Sequence, residues 1–157
     1  MGEKCLLVIR IRGDVNISAR ERDTLRMLRL KKKYSATLLD DRPEYLGMLQ
    51  KVKDFVTWGE PSIETINLLL EKRGKVTGDS PVNSETVKAL GYKNINELAS
   101  AIHSVEAEFH KLENIKPFFR LHPPKKGFKR SVKRSYRNTG ELGYREETIN
   151  YLARRMC

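Results

Sequence analysis

The sequence predicts an α+β fold in which a small β-α-β-α-β core precedes a mostly helical region and a basic extended segment. Aliphatic, strand-like runs alternate with capped helices over the first third of the chain, which indicates the core. Helical periodicity disappears after residue 115, where prolines alternate with cations. The predicted parts are a core over 1–60, a helical region over 61–115, a basic extension over 116–140 and a C-terminal helix over 141–157.

The first predicted strand covers residues 5–12, with the sequence CLLVIRIR. Side chains alternate between the two faces of a strand, so Arg10 and Arg12 should share one face. Ile9 and Ile11 should then share the other. We therefore expect this strand to present a basic face and an apolar face near its end.

The other elements of the core have local start and stop signals. Ser18 and Glu21 form a capping-box pair, which predicts a helix to about residue 30. Pro43, followed by an acidic residue, predicts a second helix to about residue 52. Two further strands are predicted over 36–40 and 54–58. With its helices on one face of the sheet, this core would form a small α/β sandwich.

The second half of the chain is predicted to be mostly helical. Ser62 caps a helix to residue 72, in which apolar residues recur at spacings of three and four. A loop rich in Gly, Asp, Ser, Pro and Asn follows over 75–83. Later helices are predicted over 84–90 and 96–103, with a helical stretch to residue 112 and a closing helix over 145–155.

The formal net charge of +11 is unevenly distributed. Residues 1–33 contain 10 basic and 4 acidic groups, and residues 116–137 contain 9 basic and no acidic groups. Residues 34–115 contain 9 basic and 13 acidic groups, whereas residues 138–157 contain 3 of each. This clustering indicates a surface that binds a polyanion, because a uniform excess would serve only solubility.

Cations recur along the first predicted helix at spacings of four, three and four residues, which places them on one face. Such a stripe can follow a phosphate backbone. The alternative is a solvated helix face partly neutralised by Glu21 and Asp23, and the spacing leaves both open. The predicted nucleic-acid contacts in this region are Arg10, Arg12, Arg22, Arg26, Arg29, Lys31, Lys32 and Lys33.

The basic extension interleaves its cations with four aromatic residues, Phe118, Phe119, Phe128 and Tyr136. Cations can pair with phosphates while rings stack on unpaired bases. Dense like charges repel, so we expect this segment to be mobile until a polyanion neutralises it. The alternative is a disordered tail whose aromatic residues dock on the core. The predicted contacts are Lys116, Phe119, Arg120, Lys125, Lys126, Phe128, Lys129, Arg130, Lys133, Arg134, Tyr136 and Arg137.

Residues 84–103 invite comparison with a DNA-binding helix-turn-helix, because two short predicted helices meet at Gly91. Such a motif contacts bases with polar and basic residues at the start of its second helix. Here that helix has no Lys or Arg and has an acid, Glu97, near its start. A DNA-binding regulator using this segment is therefore the second hypothesis, and a packing unit is favoured.

The sequence offers little for catalysis or metal binding. Residues 74–80 do not match a phosphate-binding loop, and the three histidines lack metal-ligand spacing. Asp40 and Asp41 could hold a magnesium ion, although a solvated turn is commoner. An RNA-modifying or RNA-cleaving enzyme would depend on these aspartates or on a histidine. We expect no enzyme activity, cofactor, metal or small-molecule substrate.

Other features indicate a cytoplasmic protein. Two cysteines, Cys5 and Cys157, give no disulfide framework, which suits a reducing compartment. The apolar runs are too short for a membrane span, so no membrane partner is expected. The first residues do not have the pattern of a signal peptide.

Six segments resemble one known family in the right order: VIRIRG (8–13), LRMLRL (25–30), TWGEPS (57–62), EKRG (71–74), PFFRLHPPKKGFKR (117–130) and YREETINYLARRM (144–156). They are similar to the large-subunit ribosomal protein thirty family, in the long form of archaea and, as protein seven, of eukaryotes. The short bacterial form would end near Thr57. The chain lacks the basic N-terminal extension of eukaryotic members, so it resembles the archaeal type.

The resemblance implies a ferredoxin-like β-α-β-α-β core with a three-stranded sheet. It also implies binding to large-subunit rRNA, near the 5S rRNA, with no catalytic activity. The implied partners are rRNA and neighbouring ribosomal proteins, with one copy of the chain in each cytoplasmic ribosome. The resemblance implies that rRNA is the partner, whereas the assignment of the contact residues rests on charge and spacing.

Overall fold

The computed structural model describes residues 4–157, and within them six strands form one sheet. The strands lie in the order β4-β2-β1-β3-β6-β5 across the sheet. Their bounds are β1 (Cys5–Arg10), β2 (Ser35–Asp40), β3 (Val56–Gly59), β4 (Phe119–Arg120), β5 (Ser131–Ser135) and β6 (Gly140–Tyr144).

The predicted β-α-β-α-β core is confirmed. Strand β1 is central and antiparallel to both neighbours, with Leu7 opposite Leu38 of β2 and Gly59 of β3. The connecting helices are α1 (Ala19–Met27) and α2 (Pro43–Lys51). The capping box of α1 is present, since the Ser18 hydroxyl accepts from the Glu21 N–H and the Glu21 carboxylate accepts from the Ser18 N–H. This arrangement is the ferredoxin-like core of an α+β protein.

Helices cover both faces of the sheet. On one face, Leu6 and Val8 of β1 pack with Leu25 of α1 and Leu49 of α2. On the other face, Leu7 and Ile9 pack against the second half of the chain. This second layer is built from α3 (Ile63–Arg73), α4 (Ser84–Ala89), α5 (Ile95–His103) and α6 (Ile149–Met156).

Two predicted helical stretches are shorter in the structure. The stretch expected to reach residue 112 is only a 3-10 turn at Phe109–Lys111, because Val105 adopts a left-handed φ of 65° that ends the helical path. The closing helix, expected from residue 145, begins as an α-helix at Ile149. Before it, the N–H of Arg145 donates to the carbonyl of Trp58 at 2.9 Å, which holds residue 145 against β3.

The basic extension forms part of the sheet, where the sequence predicted no regular structure. Strand β4 pairs with β2, which places Phe119 opposite Ala36, and β5 pairs with β6 at the other edge. Residues 122–130, the crossing segment, run between these edges along α6. There the N–H of His122 donates to the Met156 carbonyl and that of Lys125 to the Arg155 carbonyl, both at 3.0 Å.

Candidate nucleic-acid interface

A groove lies at the edge of the sheet where β4 meets β2. Its walls come from two distant parts of the chain: the turn after α1 and the start of the basic extension. This basic groove is lined by Arg29, Lys31, Lys32, Ser35, Pro117, Phe118 and Arg120. Pairing of β4 with β2 therefore brings four cations and one aromatic ring into a single site.

The groove continues along α1. Arg22 and Arg26 of the helix line a second depression together with Lys31, which lies in both. The ion pair of Arg10 with Asp14 also lies in this second depression. Arg22, Arg26 and Lys31 are all exposed. The cation stripe predicted on α1 is therefore contiguous with the basic groove through Lys31, and the whole surface could follow several phosphates in succession.

Arg10 was predicted as a nucleic-acid contact, and the structure corrects this. The residue is only 2% exposed. Its guanidinium donates to the carbonyls of Leu30 and Lys31, each at 2.9 Å, and to the carboxylate of Asp14 at 2.6 Å. The hydrogen bond from Arg10 lowers the pKa of Asp14. Arg10 therefore fixes the turn that presents Lys31, and its guanidinium is engaged within the protein.

Phe119 is also corrected, because it is completely buried. Its ring stacks on Phe109 with centroids 4.9 Å apart, inside the core. Adjacent residues of a strand face opposite ways, so Phe118 points out of the core and lines the basic groove. The sequence pattern showed two adjacent rings but not which of them faced the core.

Several predicted cations lie against aromatic rings of the protein itself. The Arg12 guanidinium lies 5.4 Å from the ring centroid of Phe55, and the Lys33 ammonium lies 5.0 Å from that of Tyr34. Tyr34 in turn stacks on Phe128, with centroids 6.4 Å apart. Phe128 is half-buried, so for this ring, as for Phe119, the structure favours the core-docking alternative.

Apart from Lys116, the remaining cations of the extension lie on or beyond the crossing segment and do not line the basic groove. Tyr136 lies between the guanidinium groups of Arg130 and Arg145, at 4.7 and 5.2 Å from its ring centroid. Arg145 is itself buried beside Glu141. Lys116 pairs with Asp79. The other predicted contacts of the extension are exposed: Lys125, Lys126, Lys129, Lys133, Arg134 and Arg137.

Sequence reasoning missed an aromatic residue on α6. Tyr151 is 57% exposed, and its phenol oxygen accepts from the Lys129 ammonium at 2.9 Å. The Arg155 guanidinium lies 5.6 Å from the Tyr151 ring centroid and donates to the Lys125 carbonyl at 2.8 Å. The spacing of four residues between Tyr151 and Arg155 on a predicted helix was the available signal.

The alternative sites receive no support from the geometry. In α5, Leu98 and Ile102 are buried in the core, and Glu97 accepts from the N–H of Lys93 at the start of the helix. Asp40 is 5% exposed and accepts from the Arg42 guanidinium at 2.8 Å. Within residues 4–157, no three His, Cys, Asp or Glu side chains meet as a metal site requires. No helix in that range is long and apolar enough to cross a bilayer.

An α+β core that gathers cations from distant segments into one groove is the arrangement expected of the class of proteins that bind polyanions. A family model described as Ribosomal protein L30p/L7e matches residues 6–56. Large ribosomal subunit protein uL30 of Methanopyrus kandleri is 47% identical over 148 residues, which are 93% of this chain and 99% of that protein. The chain belongs to the uL30 family of large ribosomal subunit proteins.

Two further archaeal relatives match almost the whole chain. Large ribosomal subunit protein uL30 of Staphylothermus marinus is 47% identical over 95% of this chain and 96% of its own length. The protein of that name from Ignicoccus hospitalis is 45% identical over 99% of each. Since this family belongs to the large ribosomal subunit, which is cytoplasmic in archaea, the predicted setting in cytoplasmic translation is confirmed.

Proposed function

We propose that this protein is a structural constituent of the large ribosomal subunit, that it binds rRNA near the 5S rRNA, and that it catalyses no reaction. The observation that supports this is the basic groove, where Lys31 and Arg120 meet although they are far apart in sequence. Membership of a family of large ribosomal subunit proteins supports rRNA as the polyanion. One copy would act in each subunit, beside neighbouring ribosomal proteins.

The geometry suits a static RNA contact. The turn between α1 and β2 is held by buried hydrogen bonds from Arg10, so its lysines are presented on a fixed backbone. The exposed cations of the crossing segment, Lys125 and Lys126 among them, offer a second contact beyond α6. Each cation that meets a phosphate releases counterions, so binding should weaken steeply with salt.

The test removes charge from the groove without disturbing the core. We expect the triple variant Lys31→Gln, Lys32→Gln, Arg120→Gln to bind large-subunit rRNA more weakly than the unchanged protein. The negative slope of log affinity against log salt should become shallower by about 2–3, because each phosphate contact contributes about 0.7–0.9 to its magnitude. Filter binding over a range of salt concentrations measures both quantities.

A matched control removes the same charge elsewhere. Lys51→Gln, Lys72→Gln and Lys88→Gln change exposed lysines outside both basic regions, and this variant should keep most of the salt dependence. Equal slopes for the two triple variants would contradict the proposal, as would equal affinity for duplex DNA. Co-sedimentation with salt-washed large subunits tests assembly, and ultraviolet cross-linking to 5S rRNA or adjacent rRNA tests the finer placement.

A further inference from the structure

We propose that the basic groove binds a single unpaired nucleotide of RNA, with its base against Phe118 and its phosphates on Arg29, Lys31 and Lys32. This inference rests on the proposed function and specifies what that groove recognises. The groove has a volume of about 260 Å³. That is slightly below the range of about 300–1,000 Å³ for pockets that enclose a drug-sized ligand, which suits an open groove in which a single base lies against one ring.

Phe118 is presented as a fixed stacking surface. Its neighbour Phe119 is anchored in the core opposite Ala36, so strand alternation turns Phe118 outward on the same side as Arg120. The Arg120 guanidinium lies 5.7 Å from the Phe118 ring centroid. The carbonyl of Pro117 accepts from the Thr37 hydroxyl at 2.9 Å, which ties the preceding residue to β2.

The backbone that carries Arg29, Lys31 and Lys32 is held in place before any ligand arrives. Arg29 has a left-handed φ of 66°, and the carbonyls of Leu30 and Lys31 are hydrogen-bonded to the buried guanidinium of Arg10. This turn therefore loses little conformational freedom on binding, which favours affinity.

The groove has the electrostatics of a phosphate site. Among residues 4–157, no acidic side chain lines it or forms an ion pair with one of its four cations. An aromatic ring beside cations that form no direct ion pair is a combination suited to an unpaired base and its phosphates, because the ring stacks on any base. Paired bases are already stacked within their helix and would leave Phe118 without a partner.

The experiment uses the full-length protein and three RNA hairpins of equal stem length. One has a single bulged 2-aminopurine, one has an abasic bulge, and one has no bulge. We expect the 2-aminopurine hairpin to bind about tenfold more tightly than the other two, within the range measured for one base stacked on an aromatic side chain. Its fluorescence should be quenched on binding.

Variants assign the preference to the ring. Phe118→Leu should remove the tenfold preference for the bulged base, and Phe118→Tyr should retain it. Tyr151→Leu, which removes an exposed ring on α6, is the matched control and should also retain it. Because quenching is recorded on the unchanged protein, the test does not depend on how any variant folds.

Three outcomes would overturn the inference. Equal, salt-dependent binding of all three hairpins would exclude the nucleotide site while leaving the rRNA-binding proposal intact. Loss of the preference in Tyr151→Leu but not in Phe118→Leu would place the stacking site on α6. Displacement of the bulged hairpin by micromolar adenosine monophosphate would make the groove a site for free nucleotides. Failure to bind any large-subunit rRNA would count against the proposed function itself.

Discussion

Arg29 occupies the backbone position after α1 that glycine usually takes. Its N–H donates to the Arg26 carbonyl at 3.0 Å, and the Leu30 N–H donates to the Leu25 carbonyl at 2.8 Å, which is the Schellman pattern. A side chain in this left-handed conformation costs about 1 kcal/mol or more. Arg29 lines the basic groove, so this cost in stability falls on a residue that the proposed function assigns to RNA binding.

Replacing this side chain should therefore separate stability from binding. Arg29→Gly should raise the free energy of unfolding by about 0.5–1 kcal/mol and Tm by about 1–4 °C, because glycine relieves the left-handed strain. The same change should weaken rRNA binding several-fold, since one phosphate contact is lost. Thermal unfolding and filter binding at fixed salt measure the two effects.

Alanine at this position is the control. Arg29→Ala removes the same charge but keeps a side chain at positive φ, so it should weaken RNA binding without the gain in Tm. If the glycine and alanine variants unfold at the same temperature, the backbone argument is wrong.

For individual residues, the sequence predicts which cations belong to the candidate surface but not which way each side chain points. Arg22 and Arg26 could be predicted as surface cations because helical spacing places them on one face. Arg10 and Phe119 could not be assigned, because alternation shows which residues share a face and not which face is covered. The turn after α1 covers Arg10, and Phe109 covers Phe119. Both lie many residues away in the sequence, so the local pattern does not predict these contacts.

Among the elements, the end of β3 approaches the C-terminal segment too closely to admit a side chain. A Cβ built on Gly59 would lie 2.0 Å from the carbonyl oxygen of Glu146, in the 3-10 turn before α6. The adjacent hydrogen bond from the Arg145 N–H to the Trp58 carbonyl depends on this proximity. Gly59 therefore allows α6 to begin directly beside the edge of the core.

Two glycine substitutions should act in opposite directions. Gly59→Ala should lower the free energy of unfolding by about 2–3 kcal/mol, because the backbone must move to admit a methyl group. Gly47→Ala, inside α2 with open space around the new atom, should raise it by up to about 1 kcal/mol. Thermal melts followed by circular dichroism compare them. A Gly59→Ala melt within a degree of the unchanged protein would refute the close approach.

The elements that could be predicted are those with their own signals. Strands β1 and β2 contain local aliphatic runs, and β3 contains β-branched and aromatic residues. Serine caps begin α1 and α3, Pro43 begins α2, and α3 also has apolar spacing. Strand β4 has two residues, and β5 is a mostly exposed SVKRS segment, so neither has an apolar pattern. These strands exist because β2 and β6 offer backbone partners, which only the assembled sheet provides.

On the scale of the whole molecule, an ion cluster joins the two helical layers at the end of β2. The Arg42 guanidinium, just before α2, pairs with Asp40 at 2.8 Å and with Glu108 of the second layer. Glu108 also accepts from the Lys111 ammonium at 2.7 Å. Hydrogen bonds from Lys111 and then Arg42 hold the pKa of Glu108 below its usual value.

This cluster predicts an acid-sensitive contribution to stability. A lowered pKa in the folded state means that the unfolded chain binds the proton more readily. The contribution is therefore complete above the unfolded pKa of about 4.3 and is lost as pH falls through the folded value. Glu108→Gln should lower the free energy of unfolding at pH 7 by about 1 kcal/mol, and the deficit should shrink below about pH 4.

Urea unfolding at pH 7 and pH 3 measures the difference. Glu106→Gln, at an exposed glutamate two residues earlier, is the control and should differ little from the unchanged protein at either pH. A deficit for Glu108→Gln that stays constant between the two pH values would show that the carboxylate charge does not contribute.

The widening of the sheet also affects the protein before it meets RNA. A three-stranded core would leave β2 and β3 with unpaired backbone groups, which are templates for aggregation between chains. Here β4 shields the first edge with only two residues, and β6 and β5 shield the second. At the second edge the outermost strand is β5, which contains Lys133 and Arg134, and their charges repel another copy of the chain. Cations that suit RNA thus also keep newly made, unassembled chains apart.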